Sequence, residues 1–190
     1  QPILDLRTVP RLAGEHNWQN AAVAAGLGWH AGLTSKQIAD GIASFPGLAH
    51  RQELIGSRNG LSFINDSKAT NGEAAAVALR SYDSIFWLAG GQAKDGGLKA
   101  ALHDLNRVKA AFIYGECAAE FQTQLAGKSL QTQTFSTLEE AFGAALATAE
   151  AESIDSATIL LAPGAASWDQ FTSFEDRGDV FRALANAYLN

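Results

Sequence analysis

The densest chemistry in this sequence is the string Asn65-Asp66-Ser67-Lys68-Ala69-Thr70-Asn71, which packs a carboxylate, an ammonium, two hydroxyls and two amides into seven residues. At the start of a helix such a string can accept sugar hydroxyls through Asp66 and meet a phosphate or carboxylate through Lys68 at the positive helix end. It reads equally as an ordinary helix N-cap, with Thr70 or Asn71 capping. A second candidate is Gly90-Gly91-Gln92-Ala93-Lys94-Asp95-Gly96-Gly97, where bare backbone can approach a ligand and Lys94 is free for an anion. Glycine-rich turns are also common connectors.

Other strings lose their chemistry on inspection. The glycine-rich stretch does not fit G-x-G-x-x-G and lacks the acidic residue of a dinucleotide site, so a Rossmann oxidoreductase is disfavoured. Gly127-Lys128-Ser129 resembles the end of a phosphate loop, but Gln122 stands where that pattern needs glycine. Ser167, after Pro163-Gly164-Ala165-Ala166, lacks the G-x-S-x-G setting, and no histidine follows it. His16-Asn17 reads as a capped helix start and His50-Arg51 as a surface or interface pair. The run from Trp168 to Gly178 reads as a loop folded onto the protein by its aromatics.

The elements that position these residues follow from periodicity and punctuation. Residues 16–28 and 34–45 read as helices, the second opened by a capping box from Thr34 to Gln37. Phe45-Pro46-Gly47-Leu48 breaks the pattern. Beyond it, strands at 52–56 and 61–65 flank an Asn59-Gly60 hairpin signal. Then come a helix at 72–81, a strand at 84–89, a short helix near 98–105, a strand at 109–114, a helix near 117–125 and a short strand near 131–135. A helix capped by Ser136 before Glu139, a strand at 157–161 and a final helix near 179–189 complete the chain. The expected fold is α/β: a Rossmann-like, doubly wound, mostly parallel sheet with one antiparallel hairpin strand, preceded by two helices. Residues 1–45 and 46–190 are expected to form separate units. In such sheets ligands bind beyond the carboxyl ends of the strands, where the polar and glycine-rich strings fall.

Composition narrows the function. With 47% hydrophobic and 18% charged residues, the chain has enough apolar content for a core. A net charge of −6 argues against nucleic acid as a partner. The single cysteine excludes an internal disulfide. No apolar run approaches a membrane span, and residues 1–17 do not read as an export signal. A cytoplasmic protein is expected. The chain starts without Met and contains none, which gives the expectation that it is a piece of a larger protein.

Taken in order, the strings resemble the Mur ligases, most closely the members that add D-glutamate. The resemblance runs from Gly14-Glu15-His16-Asn17 through Phe45-Pro46-Gly47-Leu48, His50-Arg51, the Asn65 to Asn71 string and Gly90-Gly91 with Lys94. It ends on Ser167-Trp168-Asp169-Gln170-Phe171, Phe174-Glu175 and Arg177-Gly178. The Asn65 to Asn71 string is its most specific part. The resemblance implies an ATP-dependent amide ligase of peptidoglycan synthesis that phosphorylates the carboxylate of UDP-N-acetylmuramoyl-L-alanine and lets the amine of D-glutamate attack the acyl phosphate. It implies Asn17, Arg51 and Asp66 as nucleotide-binding residues and Lys68 as the catalytic cation beside the phosphates. Thr70, Lys94, Ser167, Trp168 and Phe174 are implied as the D-glutamate pocket, with Trp168 standing where leucine is common. ATP and Mg2+ are the implied cofactors, with the phosphate loop and metal ligands expected in a central domain outside this chain. Residues 1–45 would be the helical end of that domain and 46–190 the C-terminal domain. The 190 residues alone are expected not to turn over substrate. The alternative is a noncatalytic α/β module that holds a small anion or a partner.

Overall fold

The computed structural model describes residues 3–152 and 155–190; of the N-terminal segment, residues 1 and 2 lie outside it. Asn59 and Gly60 adopt φ of 52° and 81°, the left-handed geometry that a two-residue hairpin needs. They join β1 (Glu53–Arg58) to β2 (Leu61–Asn65) in antiparallel register, Arg58 opposite Leu61 and Glu53 opposite Asn65. A bulge falls between Leu54 and Gly56, where a side chain at Gly56 would run into Leu189.

The remaining strands are β3 (Ile85–Gly90), β4 (Val108–Tyr114), β5 (Gln131–Phe135) and β6 (Ala157–Leu161), giving the sheet order β1-β2-β6-β3-β4-β5. All pairings from β2 onward are parallel. The two faces of β3 show why: Ile85, Trp87 and Ala89 pack with α3 (Gly72–Ser81) and α4 (Ala118–Leu125). Phe86 and Leu88 pack with α5 (Leu138–Ala151) and α6 (Phe174–Leu189). A strand apolar on both faces belongs in a parallel sheet covered on both sides. The expected mostly parallel α/β sheet with one antiparallel hairpin strand is the observed architecture.

Two helices precede it, α1 (Glu15–His30) and α2 (Ser35–Ala43), the latter opened by the Thr34–Gln37 capping box. They share a small core of Val9, Leu12 and Ala21, with Ile42 packed against it, apart from the two sheet cores.

Four elements differ from the sequence reading. The helix expected near 98–105 is two 3-10 turns, Lys99–His103 and Leu105–Arg107. Leu98, the N-cap of the first turn, and Ala101 within it are both fully buried, and the Leu98 carbonyl accepts the Ala101 N–H at 2.8 Å, the i to i+3 bond of a 3-10 turn. The N-cap of α5 is Thr137, boxed with Glu140, one position later than expected. Two further 3-10 turns, Leu6–Thr8 and Pro10–Leu12, lead into α1. Most consequentially, α6 starts at Phe174 rather than near Asp179, because Ser173 accepts the Asp176 N–H and Asp176 accepts from Thr172.

The position of β6 between β2 and β3 sets the crevice. After β3 the chain turns to the face of α3; after β6 it turns to α6 on the opposite face. Diverging connections from adjacent parallel strands open a ligand crevice at their carboxyl ends. Gln92 and Ala166 bridge it with reciprocal hydrogen bonds of 2.9 Å.

Candidate functional site at the carboxyl edge of the sheet

The edge is organised by a residue that drew no attention by type. Arg177, in the first turn of α6, is completely buried. Its Nε donates to Ser67 Oγ at 2.9 Å and its Nη2 to the Ser67 carbonyl at 2.9 Å. Nη1 reaches the carbonyls of Gly90 (3.3 Å), Ala165 (3.1 Å) and Ala166 (3.3 Å). No carboxylate lies within ion-pair distance of it among the described residues. One guanidinium therefore ties together the exits of β2, β3 and β6.

That tie changes the reading of the glycine-rich loop. The N–H groups of Gly90, Gly91 and Gln92 donate to the carbonyls of Pro163, Tyr114 and Ala166. They are spent inside the protein, so this stretch does not cradle an anion with its backbone. Glycine is needed at 91 for close approach: with φ of 126°, a Cβ would lie 2.1 Å from the Ala166 carbonyl oxygen. The cation of this loop is the exposed Lys94, whose Nζ lies 3.4 Å from Thr70 Oγ1.

Beside Arg177, Gly178 meets the start of the sheet domain. Asn65 Nδ2 contacts the Gly178 carbonyl (3.1 Å) and His50 Nδ1 (3.1 Å), while Asn65 Oδ1 accepts the Ser67 N–H. An amide donor facing Nδ1 places the imidazole proton on Nε2, which points toward Asp179 at 3.8 Å. A Cβ at Gly178 would sit 2.1 Å from His50 Nδ1. His50 and Gln52 hold left-handed φ of 59° and 45°, a local strain that the surrounding bonds must outweigh. The His50 N–H donates to Glu53 at 2.8 Å, and Glu53 pairs with Arg182 at 2.9 Å.

The residues singled out in the sequence fall into two adjoining groups. Asn17 and Arg51 line one cavity of about 450 Å3 between α1, α2 and the 45–51 connection, with Ile38, Ile42 and Leu48 among its apolar walls. Asn17 donates to the Ala13 carbonyl at 2.7 Å. Asp66 lies just behind Arg51, buried at the end of β2, where its Oδ1 accepts the Gln52 N–H at 3.2 Å. Burial pushes its carboxyl up to about 7, against the opposing pull of the Gln52 bond and the Arg51 charge. The second group sits on the other end of the same turn. Lys68 is exposed and stands 5.6 Å over the Phe174 ring, and Thr70 meets Lys94. Asn71, not Thr70, caps α3 by accepting the Ala74 N–H, so the Thr70 hydroxyl is left to the edge. Ser167 is buried, whereas Trp168 beside it is 65% exposed.

Sequence reasoning missed the roles of Arg177, Asn65 and His50. The signal for Arg177 was present: Ser173 followed by acidic residues starts a helix, and that start places Arg177 on the inward face with Phe181 and Ala185. His50 and Asn65 act through contacts between segments far apart in the chain and left no local signal.

Open doubly wound sheets are a class in which ligands sit in the crevice beyond the carboxyl ends of the strands, and that is where this chain gathers Lys68, Lys94 and the buried Asp66. The chain belongs to the Mur ligase family: the profile described as "Mur ligase, glutamate ligase domain" matches residues 50–165. It is 48% identical over 188 residues to the UDP-N-acetylmuramoylalanine--D-glutamate ligase of Paramagnetospirillum magneticum, covering 99% of this chain and 41% of that protein. Against the ligase of the same name from Rhodospirillum rubrum it is 47% identical over 182 residues, covering 96% of this chain and 38% of that protein. The chain thus spans about two-fifths of the length of these curated relatives. Among solved structures, MurC from Thermotoga maritima aligns with TM-score 0.63 at 14% identity, covering 92% of this chain and 39% of that one. MurF from Acinetobacter baumannii aligns with TM-score 0.61 at 21% identity, covering 90% and 37%. These two share the fold.

Two outcomes follow from this geometry. Arg177→Ala strips the carbonyls of Ser67, Gly90, Ala165 and Ala166 of a buried donor and is expected to cost about 3–5 kcal/mol in urea unfolding. Arg177→Lys, with three donors and no fork, should recover less than half of that. For Asp66, a folded-state pKa above the ordinary 3.8 means the folded form holds the proton more tightly. Stability from this group therefore falls as pH rises from about 4 to about 7, by at most about 4 kcal/mol, and levels off above. Asp66→Asn should flatten that slope in urea midpoints taken between pH 4 and pH 8; an unchanged slope would refute the assignment.

Proposed function

We propose that this chain is the C-terminal part of an ATP-dependent amide ligase that joins D-glutamate to UDP-N-acetylmuramoyl-L-alanine through an acyl phosphate, in the cytoplasm, for peptidoglycan synthesis. The observation that carries this reading is the turn from Asp66 to Thr70. One end of it meets the Arg51 and Asn17 side, while the other meets Lys94 and Phe174. A nucleotide held at the first end and an amino acid dicarboxylate at the second would bring phosphate and amine together over Lys68. The family membership and the names of the relatives support the same reading.

In this reading Asn17 contacts the base across the apolar cavity, Arg51 meets the ribose and phosphates, and Asp66 accepts the ribose hydroxyls. Lys68, braced by the Phe174 ring, faces the charge that builds as the acyl phosphate forms and as the amine adds to it. Lys94 and Thr70 take one carboxylate of D-glutamate, with Ser167, Trp168 and Phe174 forming the rest of the pocket. Neither Lys68 nor Lys94 is engaged in an ion pair among the described residues, so both ammonium groups are available to an anion. Positioning of two bound reactants supplies most of the catalysis in such a transfer.

Among the described residues no group of three or more His, Cys, Asp or Glu could hold a metal ion. In this reading the Mg2+ that accompanies ATP takes its protein ligands from the central domain, and no step here runs through it. Also among the described residues, no helix is long and apolar enough to cross a membrane. Val23, Leu27 and Trp29 of α1 are 64%, 67% and 59% exposed. In this reading they face the remainder of a central ATPase domain, of which residues 1–45 are the end, while residues 46–190 swing as a C-terminal domain about the 45–51 connection.

The test is phosphate release by the full-length ligase containing this chain, given ATP, UDP-N-acetylmuramoyl-L-alanine and, in turn, D-glutamate, L-glutamate, meso-diaminopimelate and L-lysine. Release with D-glutamate alone is expected, and Lys94→Ala should raise KM for D-glutamate by about 10- to 100-fold, the loss of a charge-assisted contact. Release with a different amino acid keeps the ligase and overturns the pocket. Absence of release with all four favours a noncatalytic anion-binding module.

A further inference from the structure

The loop after β6 carries Ser167 and Trp168, neighbours of opposite exposure, so its backbone path decides which side chain faces the crevice. On one side the path is held by the Gln92–Ala166 bridge. On the other side the anchor is Asp169, whose Oδ2 accepts the Glu116 N–H at 3.1 Å in the turn after β4. That turn is shaped to receive it: Gly115 has φ of 77°, and a Cβ there would lie 2.3 Å from Asp169 Oδ2. Gln170 adds a second tie, donating from Nε2 to the Ser136 carbonyl at 2.8 Å. Between the crevice and these ties the chain makes one tight turn, with the Ser167 carbonyl accepting the N–H groups of Gln170 and Phe171.

The same carboxylate has an unspent side. Asp169 Oδ1 is buried and takes no hydrogen bond from the described residues. A buried carboxylate oxygen without a donor is a standing cost, so the carboxylate is not explained by comfort in its own surroundings. What it accomplishes is the bond to Glu116, which joins the loop after β6 to the exit of β4.

We infer that Asp169 is the positioning residue of this loop: seated in the bare turn at Gly115 and Glu116, it fixes Ser167 and Trp168 beside the 91–94 loop and so sets affinity for the amino acid dicarboxylate without touching it. The inference rests on the proposed reading of this edge as the amino acid site. A positioning role needs an acceptor atom and not a charge. Asparagine keeps the acceptor for Glu116, whereas alanine loses the tie.

The experiment uses the full-length ligase with ATP and UDP-N-acetylmuramoyl-L-alanine saturating and D-glutamate varied. Asp169→Ala is expected to raise KM for D-glutamate about tenfold, with kcat within about twofold and KM for ATP unchanged. Asp169→Asn should stay within about twofold of wild type, and Gln170→Ala, at an exposed position, should raise the same KM about threefold. An unchanged KM in Asp169→Ala, a fall in kcat alone, or an Asp169→Asn variant as poor as the alanine variant overturns the inference. If Asp169→Ala does not fold, Gln170→Ala decides by the same split between KM and kcat. Wild-type enzyme that ignores D-glutamate overturns the proposed function instead. The inference is then decided by hydrogen exchange in residues 163–171, which Asp169→Ala should accelerate and Asp169→Asn should not; equal exchange in all three proteins overturns it.

Discussion

A guanidinium keeps its charge throughout the pH range of a folded protein, so sealing Arg177 from water requires that its donors be met from within. Here the compensation comes from the dipoles of backbone carbonyls, contributed by the exits of β2, β3 and β6. The carbonyls must converge on one point, which fixes the peptide planes of three loops that are otherwise far apart in the chain. The constraint extends outward. Once Gly90 and Ala166 turn their carbonyls inward, residue 91 can pass the Ala166 carbonyl only without a Cβ, and the N–H groups of residues 90–92 close on Tyr114 at the end of β4 and on Pro163 and Ala166 in the loop after β6. In the proposed reading ligand recognition is thereby moved from backbone to side chains: Lys94, Thr70 and Lys68 stand on a frame whose backbone N–H groups at 90–92 are already occupied.

The neighbouring glycine carries a second constraint. His50 packs where a Gly178 side chain would be and meets the edge of the Phe174 ring at 6.3 Å. Its carbonyl accepts the Lys68 N–H, and its N–H is held by Glu53. The segment entering the sheet domain is therefore bonded to the turn carrying Asp66 and Lys68 and to the start of α6. In the hinge reading, rotation at the 45–51 connection has to be taken up before His50, around Pro46 and Gly47, because everything from His50 onward moves with the sheet. Arg51 would then travel with the C-terminal domain while Asn17 stays behind. The cavity they share in this structure would be a product of domain position as well as of local sequence.

What the sequence made legible follows the range of the interactions. The Asn59-Gly60 hairpin, the helix from Gly72 to Ser81 and the strands at 131–135 and 157–161 are encoded by neighbours within a few residues, and they stand where periodicity and turn chemistry placed them. The 3-10 turns after Leu98 were misread because buried apolar residues three apart, such as Leu98 and Ala101, fit an α-helix and a 3-10 turn equally well. The start of α6 was misread because its aromatic and acidic residues were taken for a loop, although Ser173 and Asp176 are a cap. For the site, residue type was enough to single out Asp66, Lys68 and Lys94. It was not enough to find Arg177, whose bonds to Ser67 and Gly90 span 110 and 87 residues. A long-range tie of this kind has no signature in a window of ten.

The charge layout at the edge also follows from burial rather than composition. The chain is acidic overall, with a net charge of −6, yet Lys68, Lys94 and Arg51 stand exposed at the strand exits. The one carboxylate of the Asn65 to Asn71 string is withdrawn into the protein, where desolvation weakens its hold on negative charge. An exposed carboxylate there would offset the positive charge of these lysines. A buried one, held by the Gln52 N–H, still offers oxygens to a neutral donor such as a sugar hydroxyl while opposing an incoming anion less. In the proposed reading the same turn serves two ligands of different character, because depth in the protein separates the buried carboxylate from the exposed cations.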